Sequence, residues 1–267
     1  MNGITYTARQ LFLFTFIFVI CFMAAFAATA QGKGKREFYE LRRYTFKSAE
    51  QQQLVEAYLK AAAIPAYNRM GIKTVGVFRE MEPSEAPNLF VLIPFASLQQ
   101  FEKAQEQLEK DAAYQQAAKE YLMATHTAPA YQRIESSLMH SFKDMPVLEV
   151  PKTTSQNQQR MFELRIYESH SEDAGKRKVR MFNEGGEIPI FRRTGLTPVF
   201  FGETLIGPQR PNLTYMLTFK DKADLEQSWK KFSDDPEWKK LSAMPEYAHT
   251  VSHITKYFLV PAPYSQL

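Results

Sequence analysis

Alternating and helically spaced apolar positions divide most of the chain into two similar series of elements. From Phe38 to Tyr44 the side chains alternate, with Tyr39 and Leu41 on one face and Glu40, Arg42 and Tyr44 on the other, which predicts a strand. Ser48 and Gln51 then form a capping box, and Leu54, Val55, Tyr58, Ala61 and Ala62 make the apolar stripe of a helix. Pro65 bends or ends that helix, and Gly71 lies where the chain must turn. Ile72 to Arg79 and Leu89 to Phe95 read as strands joined through Pro83 to Pro87. A helix from near Ser97 buries Leu98, Phe101 and Leu108. Asp111 opens a shorter one through Tyr114, Ala117 and Tyr121, and a strand over about Arg133 to His140 closes the series.

The second series copies the first. Phe162 to Tyr167, Leu196 to Glu203, Leu213 to Phe219 and His253 to Leu259 are its strands. Val179 and Phe182 stand for Val55 and Tyr58, and Leu225, Trp229 and Phe232 share one helix face. Asp235-Pro236-Glu237-Trp238 combines an acidic cap with proline in the first turn. The copying extends to individual residues. Tyr39-Glu40-Leu41-Arg42-Arg43-Tyr44 returns as Phe162-Glu163-Leu164-Arg165-Ile166-Tyr167, an offset of 123 (163 − 40). Ile64-Pro65, Gly71 and Pro87-Asn88-Leu89 return as Ile188-Pro189, Gly195 and Pro211-Asn212-Leu213, an offset of 124 (211 − 87). So long a period marks a duplicated domain rather than a solenoid unit.

Strand-helix-strand-strand-helix-strand predicts an antiparallel sheet with both helices on one face. The fold class is therefore α+β: two tandem ferredoxin-like domains, residues 37–142 and 161–264, with the polar stretch 143–160 as linker. The face away from the helices carries Phe90, Leu92 and Tyr44, with Tyr167 and Met216 in the second copy, and is too apolar to leave in water. Two such sheets can cover each other, forming an α+β barrel between the copies.

Residues 1–30 read as a signal peptide: Arg9 is the only charge before Lys33, Leu11 to Ala28 is almost unbrokenly apolar, and Ala28-Thr29-Ala30 offers a cleavage site before Gln31. Residues 31–36 form a polar tail. Export to the periplasm or medium is expected, with an uncleaved membrane anchor as the alternative. Cys21 is the sole cysteine and lies in this leader, so the mature chain has no disulfide, thiolate metal site or cysteine nucleophile. Without Arg9 the chain carries 32 basic against 29 acidic side chains, which gives no nucleic-acid footprint. Lys176-Arg177-Lys178 and Lys230-Lys231 read as solvated helix faces.

Glu40, Arg42 and Tyr44, with Glu163, Arg165 and Tyr167, are the candidate binding residues, expected to point into the space between the sheets. One reading is a structural Glu-Arg pair, since a charge buried there must be matched. The other is a pocket where Arg165 holds a carboxylate or enolate, Glu163 is a base and Tyr167 a donor. Thr74, Gly76, Gly202 and Thr214 are small enough to leave room for a ligand unless bulky neighbours close the space. His253 is the histidine best placed to carry a proton or ligate a haem axially. No spacing supports a metal site, and no cofactor is expected.

The Glu-Leu-Arg-x-Tyr strand of each copy, the Ile-Pro, the Asp234-Asp235-Pro236-Glu237-Trp238 helix start and the closing Pro261-Ala262-Pro263-Tyr264-Ser265 resemble the NIPSNAP family over about residues 37 to 264. The first copy departs at Ala112-Ala113-Tyr114 and after His140. The resemblance implies the dimeric α+β barrel superfamily and no established reaction. Three functions follow as expectations: a barrel holding a small, partly apolar ligand; an interaction module with a filled barrel; or a cofactor-free monooxygenase or haem-handling enzyme. Homo-oligomers are compatible with each.

Overall fold

The computed structural model describes residues 35–82, 86–150 and 160–267; the expected signal peptide lies outside the described residues. The first half contributes β1 (Phe38–Thr45), β2 (Gly76–Glu80), β3 (Asn88–Phe95) and β4 (Arg133–Ser141). The second contributes β5 (Met161–Glu168), β6 (Thr197–Ile206), β7 (Asn212–Phe219) and β8 (His253–Pro261). All eight close into one antiparallel barrel in the order β1-β3-β2-β8-β5-β7-β6-β4. The halves meet at two seams, β2 with β8 and β4 with β6. Closure leaves no unpaired sheet edge, which is what duplication achieves for a four-stranded sheet.

Ser48 caps α1 (Ala49–Tyr58) by accepting from the Gln51 N–H, as the capping box requires. The helix does not break at Pro65. It widens into a π turn (Leu59–Ala63) and continues as α2 (Ile64–Arg69), with Pro65 in the first turn of α2 where no N–H is needed. The half closes with α3 (Leu98–Lys110), α4 (Ala112–Ala117) and α5 (Lys119–Leu122). In the second half, α6 (Glu172–Asn183) and α7 (Glu187–Thr194) are separate helices, parted by Gly185 and by Gly186 at φ 82°. They are followed by α8 (Lys222–Asp234) and α9 (Pro236–Ser242).

Three cores result. One lies between each half's sheet and its helices, and the third fills the barrel with Tyr39, Leu41, Phe78, Phe90, Leu92, Phe162, Leu164, Phe200 and Met216 among others.

Each half sends its tail onto the other. Phe142 donates its N–H to Phe201 O, and Ala262 donates to Val77 O, so the tails occupy equivalent places. The segment after Lys143 is accordingly packed as far as Glu149, whose N–H bonds Val199 O, with Met145 buried. Its backbone continues the β4 side of the β6 ladder beyond Ser141, which composition alone does not reveal. At the other end Gln266 exchanges hydrogen bonds with Val75, and Leu267 is buried in the barrel. This tail also explains why β2 starts at Gly76 and not Ile72: the apolar Ile72 and Val75 pack under the helices while the tail takes Val75's backbone bonds. Leu267→Ala should therefore cost about 2 kcal/mol in urea unfolding. An unshifted midpoint would mean the tail does not seal the barrel.

Candidate functional site

The two Glu-Arg-Tyr trios do not face the barrel. Arg165 pairs in register with Tyr215 and Glu163 with Leu217, both in the core beneath the helices, whereas Phe162 and Leu164 point into the barrel. In the first strand Tyr44 likewise lies in the helix-side core and Leu41 inside the barrel. The expectation of a trio-lined seam is thus corrected. Alternation assigns residues to two faces, but both faces here are covered, and nothing in the period says which is covered by helices.

In the second half the trio is joined by residues the sequence did not single out for it. Arg165 Nε donates to Glu163 Oε1 at 2.8 Å, and Trp229 Nε1 from α8 donates to Glu163 Oε2 at 2.7 Å. The Arg165 guanidinium lies 3.6 Å from the Trp229 ring centroid, a cation–π contact. Arg165 Nη1 reaches Tyr167 OH at 3.3 Å, and Tyr215 OH donates to the same oxygen at 2.8 Å. Glu163 is 1% exposed and Arg165 9%. Burial pushes the Tyr215 phenol well above its ordinary pKa. Burial also works against the Arg165 charge, yet Tyr215, Tyr167 and Glu163 outweigh it and hold the guanidinium above its usual value. Both carboxylate oxygens of Glu163 are used, so it is a matched anion rather than a free base.

The first half keeps the ion pair with different neighbours. Arg42 binds Glu40 through two bonds of 2.7 and 2.9 Å and donates to Tyr67 OH at 3.2 Å, while Ser136 Oγ donates to Glu40. Tyr44 turns to Tyr121, 3.4 Å between hydroxyls, instead of to Arg42.

A further buried ion pair joins α6 to α7. Lys178 Nζ donates to Glu187 Oε2 at 2.8 Å, with Phe182, Trp238 and Tyr167 ring centroids 4.6, 5.6 and 5.9 Å away. Lys178 is 5% exposed and Glu187 2%, so the Lys176–Lys178 run is not one solvated face. Burial raises the Glu187 carboxyl pKa, opposed by Lys178. The signal was present: Lys178 falls in the stripe Ala174, Lys178, Met181 and Phe182, where a charge must be paired.

The barrel interior leaves little room. A Cβ on Gly76 would lie 2.6 Å from Phe78 and 2.7 Å from Leu267, and one on Gly202 would lie 2.9 Å from Met139. Thr214 is buried and Thr74 half-buried. At the end where Arg43 binds Glu135 and Tyr257 there is a cavity of about 30 Å³, room for a water or two. His253 begins β8 opposite Glu168, exposed at the rim, so it does not face an interior pocket as expected. With the barrel packed and His253 outside it, the barrel interior does not fit a haem. No cluster of three metal-ligating side chains occurs among the described residues.

Open volume lies outside, at the β2–β8 seam. A groove of about 380 Å³ is lined by Met81, Met161, Leu225, Tyr257 and Phe258, with Lys222, Lys256, Glu80 and Glu82. Phe258 is 44% exposed. Its floor adjoins the trio: Phe258 pairs with Glu163 and Lys256 with Arg165 across β5–β8, and Leu225 lies one turn before Trp229 on α8. Glu80 is engaged by Asn88, through its backbone N–H and its side-chain amide.

The NIPSNAP family model matches residues 39–143 and again 162–266. The chain belongs to the NIPSNAP family. An uncharacterised NIPSNAP-like domain protein from Burkholderia xenovorans is 20% identical, covering 40% of this chain and 90% of that one, with a TM-score of 0.37. Two longer fold neighbours are named as monooxygenases, one from Fusobacterium nucleatum and one from Lactobacillus acidophilus. The first is 8% identical with a TM-score of 0.52, covering 85% of this chain and 93% of that one. The second is 9% identical with a TM-score of 0.53, covering 85% and 94%. At such identities the likeness is one of fold. No curated protein matches the chain.

The two NIPSNAP repeats are therefore unequal. The first keeps the Glu-Arg pair, while the second adds Trp229, Tyr215 and the Lys178–Glu187 pair, and the groove is built largely on its strands and helix.

Proposed function

We propose that this NIPSNAP protein is a binding protein for a small amphipathic anion, an apolar body bearing a carboxylate or sulfonate, held in the outer groove at the β2–β8 seam. The observation that carries the reading is the groove itself: about 380 Å³ of mostly apolar wall, within the range of small-molecule sites, beside a barrel that is already packed. Lys256 and Lys222 supply the positive charge, set against Glu80, which Asn88 engages, and Glu82 on the opposite wall. The Glu163–Arg165–Trp229 network then has a supporting role, holding α8 against the sheet and with it the Leu225 wall.

Anilinonaphthalene sulfonate is a suitable probe, because bound dye will accept excitation energy from Trp229. Wild type should bind it saturably, and Phe258→Ala with Lys256→Ala should weaken binding about tenfold or more. Equal binding by that variant would sink the assignment. Should the wild type bind no dye, the reading as an interaction module gains, since a filled barrel with exposed Met81 and Phe258 is what such a module presents.

A further inference from the structure

The other seam, β4 with β6, carries a groove of opposite character. A cavity of about 250 Å³ is lined by Arg36, Lys143, Lys176 and Arg180 with Glu184 and Glu203. A second, of about 230 Å³, shares Lys176, Val179 and Glu203 and extends to Arg210. We propose that this groove is a binding site for a small phosphate dianion, free or as the phosphate group of an organic monoester.

The argument begins from the duplication. Lys176, Arg180 and Glu203 correspond to Gln52, Glu56 and Arg79 at the offset of 124 (176 − 52). In the first half these residues satisfy one another: Gln52 donates to Glu56 at 2.9 Å and Arg79 binds the same carboxylate. Tyr264, from the crossing tail, packs on that core with its phenol near Glu56 and Arg79. The first half is closed by neutral and matched groups.

In the second half the same framework is left open and cationic. The tail residue equivalent to Tyr264, counted from Phe142 against Ala262, is Asp144, which is exposed, has its N–H held by Asn183 and lines neither cavity. The helix acid is replaced by Arg180, and Lys176 sits one turn before it on the same face. Like charges so spaced repel on an isolated helix, so folding alone does not favour the pair. Of the acids of the first cavity, Glu184 is 3.8 Å from Lys143, and Glu203 adds a favourable charge to Arg36. Arg36 is half-buried, its pKa lowered first by that burial, and it is held in place by donating to Ser141 O at 2.6 Å. Together the two cavities are lined by five cations, Arg36, Lys143, Lys176, Arg180 and Arg210, against three acids, Glu172, Glu184 and Glu203, and that surplus of two matches a phosphomonoester dianion.

The test is calorimetric titration of the purified protein with inorganic phosphate, phenyl phosphate and acetate. Phosphate should bind saturably, weaken with added salt, and exceed acetate by about tenfold because acetate carries one charge. Tighter binding of phenyl phosphate than of phosphate would identify an organic monoester as the natural class, and the reverse the free ion. Lys176→Gln with Arg180→Gln, both exposed and remote from the cores, should reduce phosphate affinity about tenfold or more. Lys230→Gln with Lys231→Gln, the same charge change on α8, should leave it unchanged. Absence of phosphate binding, acetate as strong as phosphate, or equal losses in the two variants would overturn the proposal.

Discussion

Lys178→Met should destabilise the protein by about 3–5 kcal/mol, because it strands the Glu187 carboxylate in a nearly dry site. Glu187 is 2% exposed, and among the described residues its ion-pair partner is Lys178 at 2.8 Å. The lost cation also forfeits its contacts with the Phe182, Trp238 and Tyr167 rings. The first half shows what the fold itself requires at these places, since positions 54 and 63, offset by 124 from 178 and 187 (178 − 54), hold leucine and alanine. The double variant Lys178→Leu with Glu187→Ala should therefore recover most of the loss and come within about 1–2 kcal/mol of wild type. Urea unfolding of the single and double variants measures both effects. A double variant as unstable as the single one would show that the pair is integral to the packing of α6 on α7 in a way apolar groups cannot replace.

Arg165→Met should have an effect of similar size, about 3–5 kcal/mol, by leaving the Glu163 carboxylate buried without its counter-ion, bonded by the Trp229 indole. Glu163→Gln should cost less, because the amide keeps an acceptor for Trp229, although Arg165 then lacks its counter-ion. The two variants also separate structure from ligand binding. In the arrangement proposed, both should loosen α8 and shift Trp229 emission to the red, and dye affinity at the β2–β8 groove should fall in the same order as stability. Loss of dye affinity in Glu163→Gln without any change in stability or emission would instead make Glu163 a direct ligand contact.

Much of the architecture was legible from residue order. Capping signals at Ser48 and Asp235, and the helix start near Ser97, correspond to side chains that do accept backbone N–H groups of their helices. The strand assignments agree with the structure to within a few residues, except that Ile72 to Val75 is not strand. Phe90, Leu92 and Met216 line the barrel as their apolar face required. The Glu-Arg pairs were also legible as pairs, at 2.7 Å in both halves.

What failed was orientation. Tyr44 and Tyr167 lie under the helices, on the face opposite Leu41 and Leu164, and no position of β1 or β5 is left exposed to mark which face is which. Trp229 could not be connected to Glu163 from order alone, since α8 and β5 meet only through tertiary packing. The same is true of the grooves, which are defined by residues from both halves across the seams.

Residue order by itself determined a duplicated α+β unit, its helix caps and strands, and a pairing of opposite charges in each first strand. These rest on local periodicity and near-neighbour hydrogen bonding, which a sequence carries directly. Tertiary structure alone decided that the charged faces lie under the helices, that aromatic side chains and Leu267 fill the barrel, and that open volume is left at the seams. The physical reason is that both faces of each sheet are buried: the period of two separates the faces, and only packing between distant segments says what covers each one.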